Sequence, residues 1–279
     1  MRYRMDLSYD GTPFCGWQLQ ADCPTVQGEL ERALGVLLHG TVPVTGAGRT
    51  DTGVHALHYV AHFDTDEAVS DCGQLRYKLN AILPKAISIH GITPAEPDFH
   101  ARFSATSRSY SYYLHRVKDP FMEGRSYFYG YPDVDFALMN RVAGELPGTH
   151  DFSCFEKTGG DNKTSVCTVT RALWVPLPTG GWIPARNGAD PGLSEVKYWR
   201  FDISADRFLR NMVRAIVGTL LEVGRGRRSP EEFRALILPA DIVQNEEEAP
   251  VSTRLRKGSR CDAGQSVPGH ALYLTEVKY

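Results

Sequence analysis

The sequence predicts an α+β fold with mainly antiparallel sheets, and three observations predict it. The chain opens on strict apolar–polar alternation. Segments of helical periodicity then separate further short strands, and the connections are mostly short and hairpin-like, which disfavours a doubly wound parallel sheet.

Taken in order, Tyr3, Met5, Leu7 and Tyr9 fall on one face of a strand over 2–9, with Arg2, Arg4, Asp6 and Ser8 on the other. Val26, Leu30, Ala33, Leu34, Leu37 and Leu38 recur at helical spacing, and Gly40 is placed to end that helix. A strand through 58–64 follows, then a helix over 75–83 that Pro84 stops, then a strand around Ile87 and Ile89.

Tyr110, Tyr112 and Leu114 share a strand face, Asp135 opens a helix from Phe136 to Leu146, and Trp199, Phe201 and Ile203 share another strand face. From Arg207 to Val223, apolar residues at 208, 209, 212, 213, 216, 217, 220 and 221 form a broad stripe that must face a core. Arg210 and Arg214 project one turn apart at its edge. Ser229-Pro230-Glu231-Glu232 is a capping box that starts a helix over 230–238, and Ala271 to Val277 is the last strand. Lys157 to Lys163 and Pro176 to Gly192 read as surface loops, and Ala240 to Pro268 as a long mobile connection.

Composition bounds the class. With 279 residues, 42% of them hydrophobic, the chain can build two modest cores. Six cysteines without CxxC spacing point to reduced thiols, and the lack of a signal core or a long apolar run points to a cytoplasmic protein outside the membrane. The net charge of −2 conceals a bipolar distribution. Arg207, Arg210, Arg214, Arg225, Arg227 and Arg228 form one basic cluster and Arg254, Arg256, Lys257 and Arg260 another, whereas Glu246-Glu247-Glu248 is acidic. Local basic clusters of this kind suit RNA phosphates.

The most specific segment is Gly46-Ala47-Gly48-Arg49-Thr50-Asp51-Thr52-Gly53-Val54-His55-Ala56, a glycine-rich loop that presents a carboxylate beside a guanidinium. It is not a dinucleotide fingerprint, because position 51 is Asp where a third glycine is needed, and it lacks the Gly-Lys-Ser/Thr of a triphosphate loop. An Asp between Thr and Gly also closes ordinary turns. His55, His58 and His62 would share one face of a helix and could hold zinc for a hydrolase, but Tyr59, Val60 and Phe63 favour a strand that separates His55 from the other two.

The eleven-residue loop resembles the signature of the tRNA pseudouridine synthase A family. Tyr9-Asp10-Gly11, Phe14 and Gly16-Trp17-Gln18 resemble the family's opening strand and loop. Asp98 to Thr106 with Arg108 and Tyr110, and later Asn211-Met212-Val213-Arg214 with Val217-Gly218, match in order and spacing across nearly the whole chain.

The resemblance implies two α+β domains, 1–105 with the Asp51 loop and 106–279 with Tyr110 and Arg214, whose sheets meet around a central basic cleft. It implies isomerisation of uridine to pseudouridine at positions 38–40 of the tRNA anticodon stem-loop by a homodimer. Asp51, Tyr110 and Arg214 are then the expected catalytic residues, and Arg49, His55, Arg102, Tyr110, Arg207 and Arg210 the expected RNA-binding ones. Such chemistry requires no cofactor and no metal. Asp51 can attack the sugar at C1′, attack the base at C6, or take a proton from C2′, while Arg214 keeps it ionised and oriented. Tyr110 stacks on the uracil and can take the C5 proton. The target uridine must first leave its stack, which aromatic and arginine side chains favour. A catalytically silent RNA-binding protein and the histidine-based metal hydrolase are the competing classes.

Overall fold

The computed structural model describes residues 1–157, 164–178, 196–239, 260 and 262–279. The expected loop residues 158–163 and 179–192, the connection over 240–259, and Arg254, Arg256, Lys257 and Cys261 lie outside the described residues. In chain order the elements are β1 (Arg2–Tyr9), α1 (Val26–Leu38), β2 (Val44–Gly46), β3 (His55–Asp64), α2 (Cys72–Ile82), β4 (Ile87–Pro94) and β5 (Ser107–His115). They continue with β6 (Tyr127–Phe128), α3 (Phe136–Ala143), β7 (Gly148–Asp151), β8 (Val166–Leu177), β9 (Tyr198–Ala205), α4 (Met212–Gly224), α5 (Pro230–Arg234), β10 (Leu238–Pro239) and β11 (Leu272–Lys278). The fold is therefore α+β. Two compact units divide it, one of Met1–Ser109 with Leu272–Tyr279 and one of Tyr110–Ala271.

In the first unit, β1 pairs antiparallel with β3 on one side and β4 on the other, and β2 pairs antiparallel with β3. The terminal strand β11 joins in parallel, Tyr273 opposite His55 and Leu274 opposite Ala56. The alternation of β1 has its expected consequence: Tyr3, Met5, Leu7 and Tyr9 are all buried. Thr25 caps α1 by accepting from the Gly28 N–H (3.2 Å), and Val26, Leu30, Ala33 and Leu34 turn inward. The residue that ends α1 is His39, in the left-handed region at φ 56°, one position before the expected Gly40. Asp71 caps α2 by accepting from the Gln74 N–H (2.9 Å), so this helix starts three residues before its first apolar position.

In the second unit, β8 pairs antiparallel with β9 and β7, β10 pairs with β7, and the short β6 runs parallel to β5. Pro176 and Leu177 belong to β8, where Leu177 lies opposite Tyr198, and not to the loop expected from Pro176 onward. α3 packs on β8 and α4. Phe136 stacks on Trp199 at 3.8 Å and meets the buried Trp174 edge-on. Asn140 brackets β8, accepting the Trp174 N–H (2.6 Å) and donating to its carbonyl (2.9 Å).

The helix expected from Arg207 begins only at Met212, because Asn211 takes φ 66° and breaks the helical run that Phe208 and Leu209 continue on paper. The capping box of α5 forms as expected, with the Glu232 N–H donating to Ser229 Oγ and the Ser229 N–H to Glu232 Oε2. That helix ends at Arg234, well short of 238, since Leu238 and Pro239 pair with β7 as β10.

Candidate active site

The Asp51 loop joins β2 to β3 and is held mostly through its backbone. The Ala47 N–H donates to the Val60 carbonyl (2.9 Å), the Val54 N–H to the Asp51 carbonyl (3.1 Å), and the Gly53 N–H to the Phe14 carbonyl (3.4 Å). The Trp17 N–H donates to the Thr50 carbonyl (3.2 Å), and Thr50 Oγ1 lies 2.9 Å from the Tyr9 hydroxyl. The Tyr59 hydroxyl donates to the Gly48 carbonyl. Beneath the loop Trp17 stacks on Tyr59 at 4.2 Å, and Tyr9 meets Tyr59 edge-on at 5.5 Å. Asp51 is thus half-buried at the head of a loop whose floor is aromatic and whose flanks are hydrogen-bonded.

Two glycines outside the loop make this approach possible. Gly16 has φ 96°, and a Cβ there would stand 2.4 Å from the Thr50 carbonyl oxygen. A Cβ on Gly11 would stand 2.1 Å from the Val54 carbonyl oxygen. Within the loop itself only Gly53, at φ 77°, occupies the left-handed region; Gly46 and Gly48 do not, so loop composition alone overstates their conformational demand. Gly46 matters for space, since a Cβ would stand 2.5 Å from the Trp17 ring.

The three histidines of β3 go separate ways. The Gly11 N–H donates to His55 Nδ1 (3.1 Å), Asp10 Oδ1 is also 3.1 Å from that nitrogen, and the buried ring stacks on Tyr273 at 4.4 Å. His58 Nε2 is 3.6 Å from Asp6 Oδ1. His62 Nδ1 accepts from the Ala101 N–H (3.1 Å), and burial, followed by the nearby Arg2 guanidinium, lowers its imidazole to about 4. Among the described residues no group of three His, Cys, Asp or Glu side chains is arranged to hold a metal ion.

The segment that matched the family around Arg102 packs against the same loop. Arg108 donates to the carbonyls of Ala47 (3.1 Å) and Ala105 (3.0 Å), and also to that of Arg102. This fastens the loop's first residues to the 102–105 turn. Arg49, Arg102 and Phe103 are exposed, with the Arg102 guanidinium 5.6 Å above the Phe103 ring.

Tyr110 and Arg214 belong to the second unit. Tyr110 meets Phe208 edge-on at 5.1 Å. Arg214 Nε donates to the Val267 carbonyl (2.7 Å), while the Val267 N–H donates back to the Arg214 carbonyl (3.2 Å). Asn211 Nδ2 reaches Ser266 Oγ (2.7 Å), and the Gly264 N–H donates to Thr219 Oγ1 (2.9 Å). Residues 263–267 therefore run along α4 as a strap. Arg207 donates to the Thr164 carbonyl (2.8 Å), whereas Arg210 is exposed.

Sequence reading did not give roles to Tyr59, Arg108 or the strap. Tyr59 has the pattern of any strand aromatic, and the strap's partners lie some fifty residues back in the chain.

Comparison with known proteins agrees with the sequence signature. Residues 7–104 and 142–251 match the model of a family described as tRNA pseudouridine synthase. The whole chain is 44% identical to the tRNA pseudouridine synthase A of Parabacteroides distasonis, covering 96% of that protein. It is 42% identical over its whole length to that of Porphyromonas gingivalis, covering 97% of it. Against that of Chlorobaculum tepidum it is 42% identical over 238 residues, which are 84% of this chain and 87% of the relative.

Proposed function

Because the chain belongs to the tRNA pseudouridine synthase family, we propose that Asp51 is the carboxylate with which it converts uridine to pseudouridine in tRNA. The reaction breaks the bond from ribose C1′ to uracil N1, turns the base and rejoins it through C5. Mass and oxidation state are unchanged, so the protein has to supply placement and proton handling. The observation that carries the reading is the loop's construction. Tyr9, Trp17 and Tyr59 floor it, Gly11 and Gly16 let its neighbours close in, and its backbone is bonded on both flanks while Asp51 stays half-exposed.

Tyr110 and Arg214 are the assisting groups, the first for stacking on the base and handling the C5 proton, the second for sustaining the ionised carboxylate. Arg49 and Arg102 of the first unit and Arg207 and Arg210 of the second grip phosphates, and Arg49, Arg102 and Arg210 are exposed. The burial of His55 supports a positioning role, tying the end of the Asp51 loop to Asp10-Gly11, within reach of the RNA only through that loop. We place the family's two domains at 1–105 and 106–279, the substrate uridines at positions 38–40, and the enzyme in the cytoplasm as a homodimer that uses no cofactor. No helix of the described residues is long and apolar enough to cross a membrane.

The test is to incubate unmodified tRNA with the purified protein and resolve the nucleosides by chromatography. Pseudouridine should accumulate in wild-type reactions and at positions 38–40 on sequencing. Tight tRNA binding with no pseudouridine would leave the silent RNA-binding class in its place. Sedimentation of the free protein as a monomer would remove the dimer.

A further inference from the structure

The described residues include five free cysteines, and they divide by setting. Cys154 and Cys167 are buried, and burial pushes their thiols up to about 11 and about 12, which leaves them inert near neutral pH. Cys72 opens α2. Cys15 and Cys23 are half-buried and lie on the two stretches that flank one exposed turn.

The backbone holds those two stretches together. The Cys15 N–H donates to the Pro24 carbonyl (2.8 Å), the Val26 N–H to the Gly16 carbonyl (3.2 Å), and the Gln27 N–H to the Trp17 carbonyl (3.0 Å). Residues 15–17 are thereby clamped to 24–27, with an exposed turn over 18–22 between them.

We propose that Cys15 and Cys23 are a reversible oxidation site, closed by exchange with a low-molecular-weight disulfide, and that closure displaces the Asp51 turn and slows the enzyme. Chemically, the Cys15 thiolate attacks one sulfur of the small disulfide and expels a thiolate. The Cys23 thiol then loses its proton to solvent, attacks Cys15 at the mixed disulfide and expels the second thiolate. Two protein thiols and one small disulfide become one protein disulfide and two small thiols, so the two electrons end on the added reagent. Interaction with Cys15 also holds the Cys23 thiol above its ordinary value.

The coupling to the active loop follows from what flanks Cys15. Phe14 accepts the Gly53 N–H, the Trp17 N–H is bonded to the Thr50 carbonyl, and Gly16 has no slack against that same carbonyl. A covalent S–S bond of about 2.05 Å is much shorter than any non-bonded approach of two thiols, so closure draws the two stretches together. Movement of Phe14 to Trp17 passes directly to Thr50 and Asp51. A misplacement of about 1 Å in a catalytic group is worth on the order of 10²-fold in rate.

The experiment incubates the full-length, fully reduced protein with glutathione disulfide, blocks the remaining thiols, maps peptides and assays tRNA in parallel. The expected product carries a Cys15–Cys23 linkage and has lost two hydrogens. Its turnover should fall by about tenfold or more and return with dithiothreitol. Before oxidation both Cys23→Ser and Cys15→Ser should match reduced wild type in turnover; with the oxidant Cys23→Ser should stop at a glutathione adduct on Cys15, and neither variant should form the linkage. In the wild type, a stable glutathione adduct at Cys15, or linkage of either residue to Cys261 or Cys72 as the main product, overturns the site. A Cys15–Cys23 disulfide with undiminished turnover overturns the coupling. The activity arm rests on the synthase reading, but the peptide map does not: linkage in a protein that is inactive even when reduced counts against that reading alone.

Discussion

The Asp51 loop and the start of α4 both present a charged side chain named by sequence, yet they are built by opposite means. The loop is shaped by backbone contacts made where side chains are absent, at Gly11 and Gly16, over a floor of Tyr9, Trp17 and Tyr59. The α4 start is shaped by a strap, residues 263–267, that arrives from about fifty positions downstream and exchanges two hydrogen bonds with Arg214. The difference teaches where each will fail. Adding atoms should break the first. The second should loosen when its strap is pushed away.

The largest expected effect separates the two charged groups. Asp51→Asn is nearly isosteric, keeps every backbone bond of the loop, and removes the nucleophilic and basic oxygen; turnover should fall by about 10³-fold or more with tRNA affinity and Tm retained. Residual turnover within tenfold of wild type would end the assignment of Asp51. Arg214→Ala should lower turnover less, on the order of 10²-fold, and still by more than it weakens tRNA binding. The reverse pattern would put Arg214 on the RNA instead.

Next come the two glycines that stand for the two means of construction. Gly16→Ala adds a methyl 2.4 Å from the Thr50 carbonyl at a φ of 96°, so it should cost about 1–3 kcal/mol of stability and on the order of 10²-fold in turnover. Gly218→Ala places its methyl 1.9 Å from the Gln265 carbonyl and must displace the strap. It should cost a similar ~1–3 kcal/mol in thermal or urea unfolding, with a smaller loss of turnover. Equal turnover losses in the two variants would show that the strap is as demanding as the loop.

That contrast also marks what the sequence made legible. β1, α1 and the capping box of α5 depend on spacing within a few residues, and each formed where the pattern placed it. The Asp51 loop was legible because its residue types are confined to one short string. β8 went unread because its apolar positions carry no clean alternation and it runs through Pro176, a residue that punctuates loops more often than strands. The α4 start was misplaced because periodicity continues through Phe208 and Leu209, while the left-handed turn at Asn211 is decided by Ser266 on a remote segment. The parallel seat of β11 against β3 is likewise a non-local pairing that no periodicity encodes.

A third prediction tests whether the first region's rigidity reaches the 98–105 segment. His62 is held neutral, its imidazole lowered from 6.5 to about 4, first by burial and then by Arg2, and its Nδ1 anchors the Ala101 N–H. Between about pH 6.5 and 4 the unfolded chain therefore binds a proton that the folded chain refuses. Stability from this site is complete above the upper value and declines as pH falls through the window. His62→Asn keeps an acceptor for Ala101 without a titrating group, so its Tm against pH should be flatter by a few degrees across that interval. Parallel curves for variant and wild type would mean that His62 is not the group responsible.

The smallest effect lies in the second region, where two neighbouring arginines differ in what already occupies them. The Arg207 guanidinium donates to the Thr164 carbonyl, whereas Arg210 is exposed and the Lys157 N–H engages its carbonyl, leaving the contact on the backbone side. A guanidinium that neutralises a phosphate releases about one counterion, which steepens the fall of log affinity with log salt by roughly 0.7–0.9. Arg210→Ala should remove that increment, a change of about threefold between 50 and 200 mM salt, and leave Tm alone. Arg207→Ala should remove less of the slope and lower Tm, since its first duty is to Thr164. Fluorescence titrations of tRNA at several salt concentrations read both slopes. Should Arg207→Ala flatten the slope as much as Arg210→Ala with no loss of Tm, the Thr164 contact gives way to RNA and the two arginines serve as one phosphate grip.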